Sequence, residues 1–152
     1  MKTEHYGWAG TLLRINLTDS TSTVSSTLDF AARFIGGRGL ASRFYWDEMS
    51  GSTSAFSPDN WLYFMNGPMS GTRVPASSRW IVLGKSPMAL PEQYASGNLG
   101  GSFGAAMKWA GLDGLAVTGV SKDPVVLVVN PGHKCSFEKA GELWGKDTTQ
   151  TI

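Results

Sequence analysis

The sequence predicts an α+β fold, and three observations predict it. Short alternating or wholly apolar runs, the mark of strands, stand at 10–17, 61–65, 80–83, 115–118 and 125–129. Stretches with apolar residues at helical spacing are few and short. The two kinds follow one another without the regular strand–helix–strand alternation of a parallel sheet. The 152 residues give one domain, spanning 1–152, with length enough for a core of its own.

Residues Gly10 to Leu17 set Leu13, Ile15 and Leu17 against Leu12, Arg14 and Asn16, which reads as a strand with one buried face. A polar turn at Asp19 to Ser22 leads to a short return strand at Thr23 to Ser25. Ser26-x-x-Asp29 resembles a capping box, and Phe30, Ala31, Phe34 and Ile35 follow at helical spacing. Gly36-Gly37-Arg38-Gly39 breaks that helix, and a second one is predicted over Leu40 to Met49. Gly51 to Pro58 reads as a loop. Trp61 to Met65 reads as a buried strand, closed by the turn Asn66-Gly67-Pro68. Trp80 to Leu83 is the next strand. Gly97 to Gly104 is expected to be a glycine-rich loop that opens a helix over Ala105 to Ala110, with Gly111 as its C′ residue. Leu115 to Thr118 and Val125 to Val129 are strands. The turn Asn130-Pro131-Gly132 makes a hairpin with Lys134 to Phe137, and the charges from Lys122 onward read as solvated surface.

Composition excludes several classes of function. A net charge of +1 gives no strong pull towards nucleic acid or anionic lipid. One cysteine, Cys135, excludes an internal disulfide framework and any cysteine-rich metal or iron–sulfur site built from this chain alone. His5 and His133 lie far apart, and neither sits in a motif. No apolar h-region opens the chain and no apolar run is long enough to span a membrane, so the expectation is a cytoplasmic chain that contacts no membrane and no nucleic acid. Charged residues are 16%, against about 25% in an average domain, while there are 19 glycines and six tryptophans. Part of the surface is therefore expected to be covered by a ligand, a partner or further domains.

Phosphate-loop motifs fail on inspection. A Walker A reading of Lys85-Ser86 needs glycine at Arg79, and a dinucleotide fingerprint at Gly37-x-Gly39 needs glycine at Ser42. The Gly97 to Gly104 segment has a physical case instead. Its glycines let backbone approach a ligand, and free N–H groups of the following helix suit an anion. Asn98 adds an amide and a carbonyl. From spacing alone, a tight turn between closely packed elements is the better explanation of the same glycines. Arg79, immediately before a strand, is placed either to clamp a phosphate or simply to face solvent. Asp47 and Glu48 point to different helix faces and read as solvated. Asp113 reads as a turn residue, Cys135 as a plain core or edge thiol, and no nucleophile–base pair stands out.

An ordered set of segments resembles the tungsten-containing aldehyde ferredoxin oxidoreductase family. The segments are Tyr6 to Thr18, Phe34 to Leu40, Phe56 to Asn60, Asn66 to Thr72, Gly84 to Pro87, Asn98 to Gly104, Lys108 to Asp113 and Leu143 to Asp147. Each is short, and the order makes the set specific. The resemblance implies two mostly antiparallel β-sheets with a few short helices, forming a base for a bis-pterin cofactor. It implies an oxidoreductase that takes aldehydes to carboxylic acids, or runs a related low-potential reaction, at tungsten or molybdenum. Magnesium bridges the pterin phosphates, and electrons pass through a [4Fe–4S] cluster to ferredoxin. By motif, Arg79 and Gly100 are cofactor-binding and Asn98 binds both cofactor and magnesium through its carbonyl. No catalytic residue is implied in this chain. The cluster cysteines and channel domains are expected beyond Ile152 or on a separately encoded partner subunit, so the 152 residues alone are expected to be inactive. The chain departs from the family pattern in a longer stretch at Met88 to Ser96 and in Leu99, where serine is common. The alternative expectation is a non-enzymatic remnant or scaffold module that binds a partner protein through its apolar face.

Overall fold

The computed structural model describes residues 6–130 and 132–151, so His5 and Pro131 lie outside the described residues. A six-stranded sheet has the order β2-β1-β6-β3-β4-β5. Its strands are β1 (Thr11–Asn16), β2 (Thr21–Ser26), β3 (Leu62–Asn66), β4 (Trp80–Ser86), β5 (Gln93–Leu99) and β6 (Gly114–Thr118). All its pairs are antiparallel except β1 with β6. A second sheet is the hairpin of β7 (Val125–Asn130) and β8 (Lys134–Lys139). The helices are α1 (Leu28–Phe34), α2 (Arg38–Glu48), α3 (Phe103–Trp109) and α4 (Thr148–Thr151). The α+β class and its two mostly antiparallel sheets agree with the sequence reading.

The large sheet is covered on both faces. On one face Leu12, Tyr63, Met65, Ile81 and Leu83 pack against Leu40, Ala41 and Phe44 of α2. On the other, Leu13, Ile15 and Leu115 pack under Met107 and Leu112, with Leu127, Val129, Cys135 and Phe137 of the hairpin alongside. This corrects the reading of β1 as a strand with one buried face. Leu12, Leu13 and Ile15 are all fully buried, because α2 covers the Leu12 face of β1 while α3 and the hairpin cover the Leu13 and Ile15 face. Gly114 is required where β6 passes β3, since a Cβ there would lie 2.0 Å from the Met65 sulfur.

The second correction concerns 97–104. Gln93–Leu99 is a strand, paired with β4 from Ser86↔Gln93 to Trp80↔Leu99, and only 100–102 connects it to α3. Its residues QYASGNL carry no alternating apolar face because β5 is the edge of the sheet and mostly exposed. The capping box is also displaced. The N-cap of α1 is Thr27, and Ser26 Oγ accepts from the Leu28 N–H at 3.1 Å.

Candidate functional site

The glycine-rich segments that are scattered in sequence meet at one end of the large sheet. The meander β3–β4–β5 places the end of β3, the start of β4 and the end of β5 side by side: Asn66 pairs with Trp80, and Trp80 with Leu99. One step further in the same register, Gly67, Arg79 and Gly100 stand abreast. Pleating puts Arg79 on the face of Ile81, which is the face that α2 covers. Ile81 pairs with Asn98, so Asn98 shares that face and lies diagonal to Arg79. The start of α2 reaches the same end, where the Gly37 N–H donates to the Asn66 carbonyl at 2.8 Å. The start of α3 reaches it too, with Gly104 packed against the Ser78 carbonyl and Trp80.

The glycines here divide into two kinds. A Cβ on Gly39 would lie 2.1 Å from the Phe34 carbonyl oxygen, and on Gly36 it would lie 2.9 Å from the Pro68 ring. These glycines are packing requirements. Gly37, Gly67, Gly100 and Gly101 would each place a Cβ in open space. They leave bare backbone along a groove whose floor is Gly67, Arg79 and Gly100. The Trp80 indole N–H donates to the Gly100 carbonyl at 3.0 Å, and the Trp80 ring lies 4.7 Å from that of Phe103, which fixes this connection.

Asp113 lies at this end of the sheet, where its main-chain carbonyl accepts from the Asn66 N–H at 3.0 Å and its carboxylate is paired with Lys108. Between residues 60 and 112 the carboxylates are limited to Glu92. Glu92 accepts from the Ala55 N–H at 2.7 Å, in the loop before β3 and so at the opposite end of the strands. Arg79 is exposed and has no hydrogen bond or ion pair among the described residues. It is a guanidinium with unmet donors beside bare backbone, an arrangement suited to an anion. No group of three or more His, Cys, Asp or Glu that could hold a metal occurs among the described residues. A hard cation at this end would therefore take carbonyl oxygens of the chain and oxygens of its own ligand. As the edge strand, β5 turns every second carbonyl away from β4.

The remaining titratable groups are structural. Asp113, 1% exposed, accepts from the Ala9 N–H (3.0 Å), the Gly10 N–H (2.8 Å), the Thr27 hydroxyl (2.6 Å) and the Lys108 ammonium. Burial alone would raise its pKa, but the hydrogen bonds from Lys108, Thr27 and Ala9 outweigh it and hold the carboxyl below its usual range. Glu48 is exposed, as its sequence position suggested, but it is also paired. It takes both ends of the Arg14 guanidinium and the Tyr63 hydroxyl at 2.8 Å, while Asp47 pairs with Arg43 at 2.8 Å. Cys135 is a half-buried thiol whose pKa is raised by burial, and His133 Nε2 lies 3.1 Å from the Gly111 carbonyl. Sequence reasoning flags Arg79, Asn98 and Gly100, and the Gly67 to Thr72 loop that runs on to Arg79 is poor enough in charge to line a site or an interface, but the register that brings Gly67 to the other three is not legible in the sequence.

On the opposite face an apolar cleft of about 380 Å³ lies between the sheet, α3 and the hairpin, bounded by Leu62, Phe64, Phe103, Met107, Leu127 and Val129 among others. Among the described residues no helix is long and apolar enough to cross a membrane.

Comparison with known proteins gives the family and the fold. The family model described as "Aldehyde ferredoxin oxidoreductase, N-terminal domain" matches residues 12–152. A tungsten-containing aldehyde ferredoxin oxidoreductase of Pyrococcus abyssi is 37% identical over 147 residues, 96% of this chain and 24% of the relative. The WOR-like subunit of an aliphatic sulfonate oxidoreductase of Pyrococcus furiosus is 30% identical over 92% of this chain and 22% of its own length. In the solved active-site complex BamBC of benzoyl coenzyme A reductase, in complex with 1,5-dienoyl-CoA, one chain superposes with a TM-score of 0.91 at 29% identity. That match covers 97% of this chain and 22% of the other. The chain thus spans about a quarter of the length of the relatives it matches. It belongs to the aldehyde ferredoxin oxidoreductase family, whose N-terminal domain it matches almost from end to end.

Proposed function

We propose that the chain is the cofactor-cradling N-terminal domain of an oxidoreductase acting at a tungsten or molybdenum bis-pterin centre. The observation that carries this reading is the groove of Gly67, Arg79 and Gly100, with Asn98 beside it. The residues fit such a group. Arg79 would offer bidentate donors to a phosphate, Gly100 and Gly101 would leave the backbone open to the cofactor, and Asn98 would offer a carbonyl to a magnesium ion bound with it. When bound, the metal centre supplies the redox step, in which an aldehyde and water become a carboxylic acid with release of two electrons and two protons.

The chain's own share is binding and orientation. Its relatives are named for aldehyde, sulfonate and benzoyl-CoA chemistry, yet each resembles this chain over most of its length. A domain common to such different substrates suits cofactor support better than substrate choice. Substrate specificity, and the four thiolates of a [4Fe–4S] cluster passing electrons to ferredoxin, then belong to polypeptide other than these 152 residues, which hold one cysteine.

A second reading, a non-enzymatic scaffold that grips a partner protein, is favoured by the apolar cleft between α3 and the hairpin. Elemental and pterin analysis separates the two. The chain assembled with the polypeptide supplying the rest of the family's length is expected to carry tungsten or molybdenum with pterin and to oxidise aldehydes. An assembly free of both metal and pterin leaves the scaffold reading standing.

A further inference from the structure

Asn66 is 1% exposed and sits directly beneath the groove. Its main-chain carbonyl accepts from the Gly37 N–H at 2.8 Å, which fixes the entry to α2. Its main-chain N–H donates to the Asp113 carbonyl at 3.0 Å. Its side-chain amide donates to the Gly104 carbonyl at 3.2 Å, in the first turn of α3, and to the Leu112 carbonyl at 3.3 Å, just past that helix. One residue therefore ties the beginnings of both flanking helices to the strand pair that carries Arg79. The amide oxygen has no hydrogen-bond partner among the described residues. A buried acceptor left unpaired is a cost, so an amide here is explained by its donors and not by shape.

We infer that Asn66 is the positioning residue of the anion groove, setting the spacing between the α2 entry, Arg79 and the Gly100 connection. The inference rests on the groove being an anion site. Asn66 touches no ligand in this scheme. Without its two side-chain donors, α3 is released from the strand end, and the Gly100 to Ser102 connection loses the anchor at its far side. Gly100 remains tied to Trp80, so the fold persists while the groove widens.

The test uses the 152-residue chain and magnesium pyrophosphate as the probe, followed by amide NMR shifts. In the wild-type chain the shifts are expected to concentrate at Gly37, Gly67, Arg79, Asn98, Gly100 and Gly101. Asn66→Ala is expected to weaken pyrophosphate binding at least fivefold. Asn66→Thr, which keeps one donor, should fall between, and it carries the test if the alanine variant does not fold. Ser70→Ala separates positioning from mere stability, because Ser70 is equally buried and its hydroxyl serves only the Ser77 carbonyl. It should lower the melting temperature yet leave pyrophosphate affinity within twofold. Arg79→Ala reports on the anion reading itself. If Arg79→Ala abolishes binding while both Asn66 variants bind within twofold of wild type, the positioning role is wrong and the anion site stands. If Arg79→Ala also binds like wild type, the anion reading fails and the positioning role goes with it.

Discussion

Gly100 stands abreast of Arg79, one step past the Trp80–Leu99 pair that ends the β4–β5 ladder, and a Cβ on Gly100 would meet no atom within 4 Å. Its φ is not in the positive region, so alanine is free of strain there. Gly100→Ala should accordingly change stability by no more than about 0.5 kcal/mol. Gly39→Ala should cost about 3 kcal/mol, because its Cβ would lie 2.1 Å from the Phe34 carbonyl oxygen. Thermal denaturation of the two variants beside wild type checks the contrast. Equal losses for both would mean that the groove glycine is a packing glycine.

Asp113 should dominate the acid limb of the stability curve. Its folded pKa lies below the unfolded value, so its contribution is complete above about pH 4, the unfolded carboxylate range. That contribution is lost as pH falls through the lower folded value. Asp113→Asn strands Lys108 and should cost about 3 kcal/mol at neutral pH, with a flatter acid limb than wild type. Urea unfolding from pH 2 to 7 measures both, and identical acid limbs would contradict the assignment.

Tyr63 should act at the alkaline end. Burial, and next to it the Glu48 carboxylate, raise its hydroxyl above the ordinary tyrosine range. A raised folded pKa contributes stability that is complete below about pH 10 and declines as pH rises further. Tyr63→Phe should be less stable at neutral pH and less sensitive between pH 10 and 11. Ultraviolet titration with far-ultraviolet dichroism follows the two events. A Tyr63 that ionises while the chain is still folded at pH 10 would overturn this.

Much of the large sheet was legible because its inner strands are apolar in themselves: Leu12 to Ile15, Tyr63 to Met65 and Trp80 to Leu83 declare themselves without tertiary context. Gln93–Leu99 did not, because an edge strand held by backbone pairing carries no periodic signal and its Gly97 imitates a loop. The pairing of Glu48 was not legible for a different reason. Its partners Arg14 and Tyr63 lie 34 and 15 residues away, and only the sheet brings them together. Arg79, Asn98 and Gly100 could be flagged one at a time by chemistry and by family resemblance. Their sharing of one face with Gly67 depends on the β3–β4–β5 meander, which no local pattern encodes.

Cys135 should be inert towards iron. It is a single half-buried thiol with its pKa raised, whereas a cluster needs four thiolates. The 152-residue chain reconstituted with iron and sulfide should show no stoichiometric cluster absorbance and no aldehyde oxidation. A full cluster per chain would refute both expectations.

The cofactor role of the groove comes down to metal and pterin content per chain in the assembled enzyme carrying Arg79→Ala. Charge-assisted hydrogen bonds of the kind Arg79 offers contribute on the order of 1.5–3 kcal/mol each. Losing them should lower cofactor affinity roughly 10- to 100-fold. The melting temperature of the apo-protein should be nearly unchanged, since Arg79 is exposed and its side chain makes no hydrogen bond or ion pair among the described residues. Depleted metal and pterin in a well-folded variant is the predicted result. Wild-type occupancy of both in Arg79→Ala would contradict the proposal that this end of the sheet holds the cofactor.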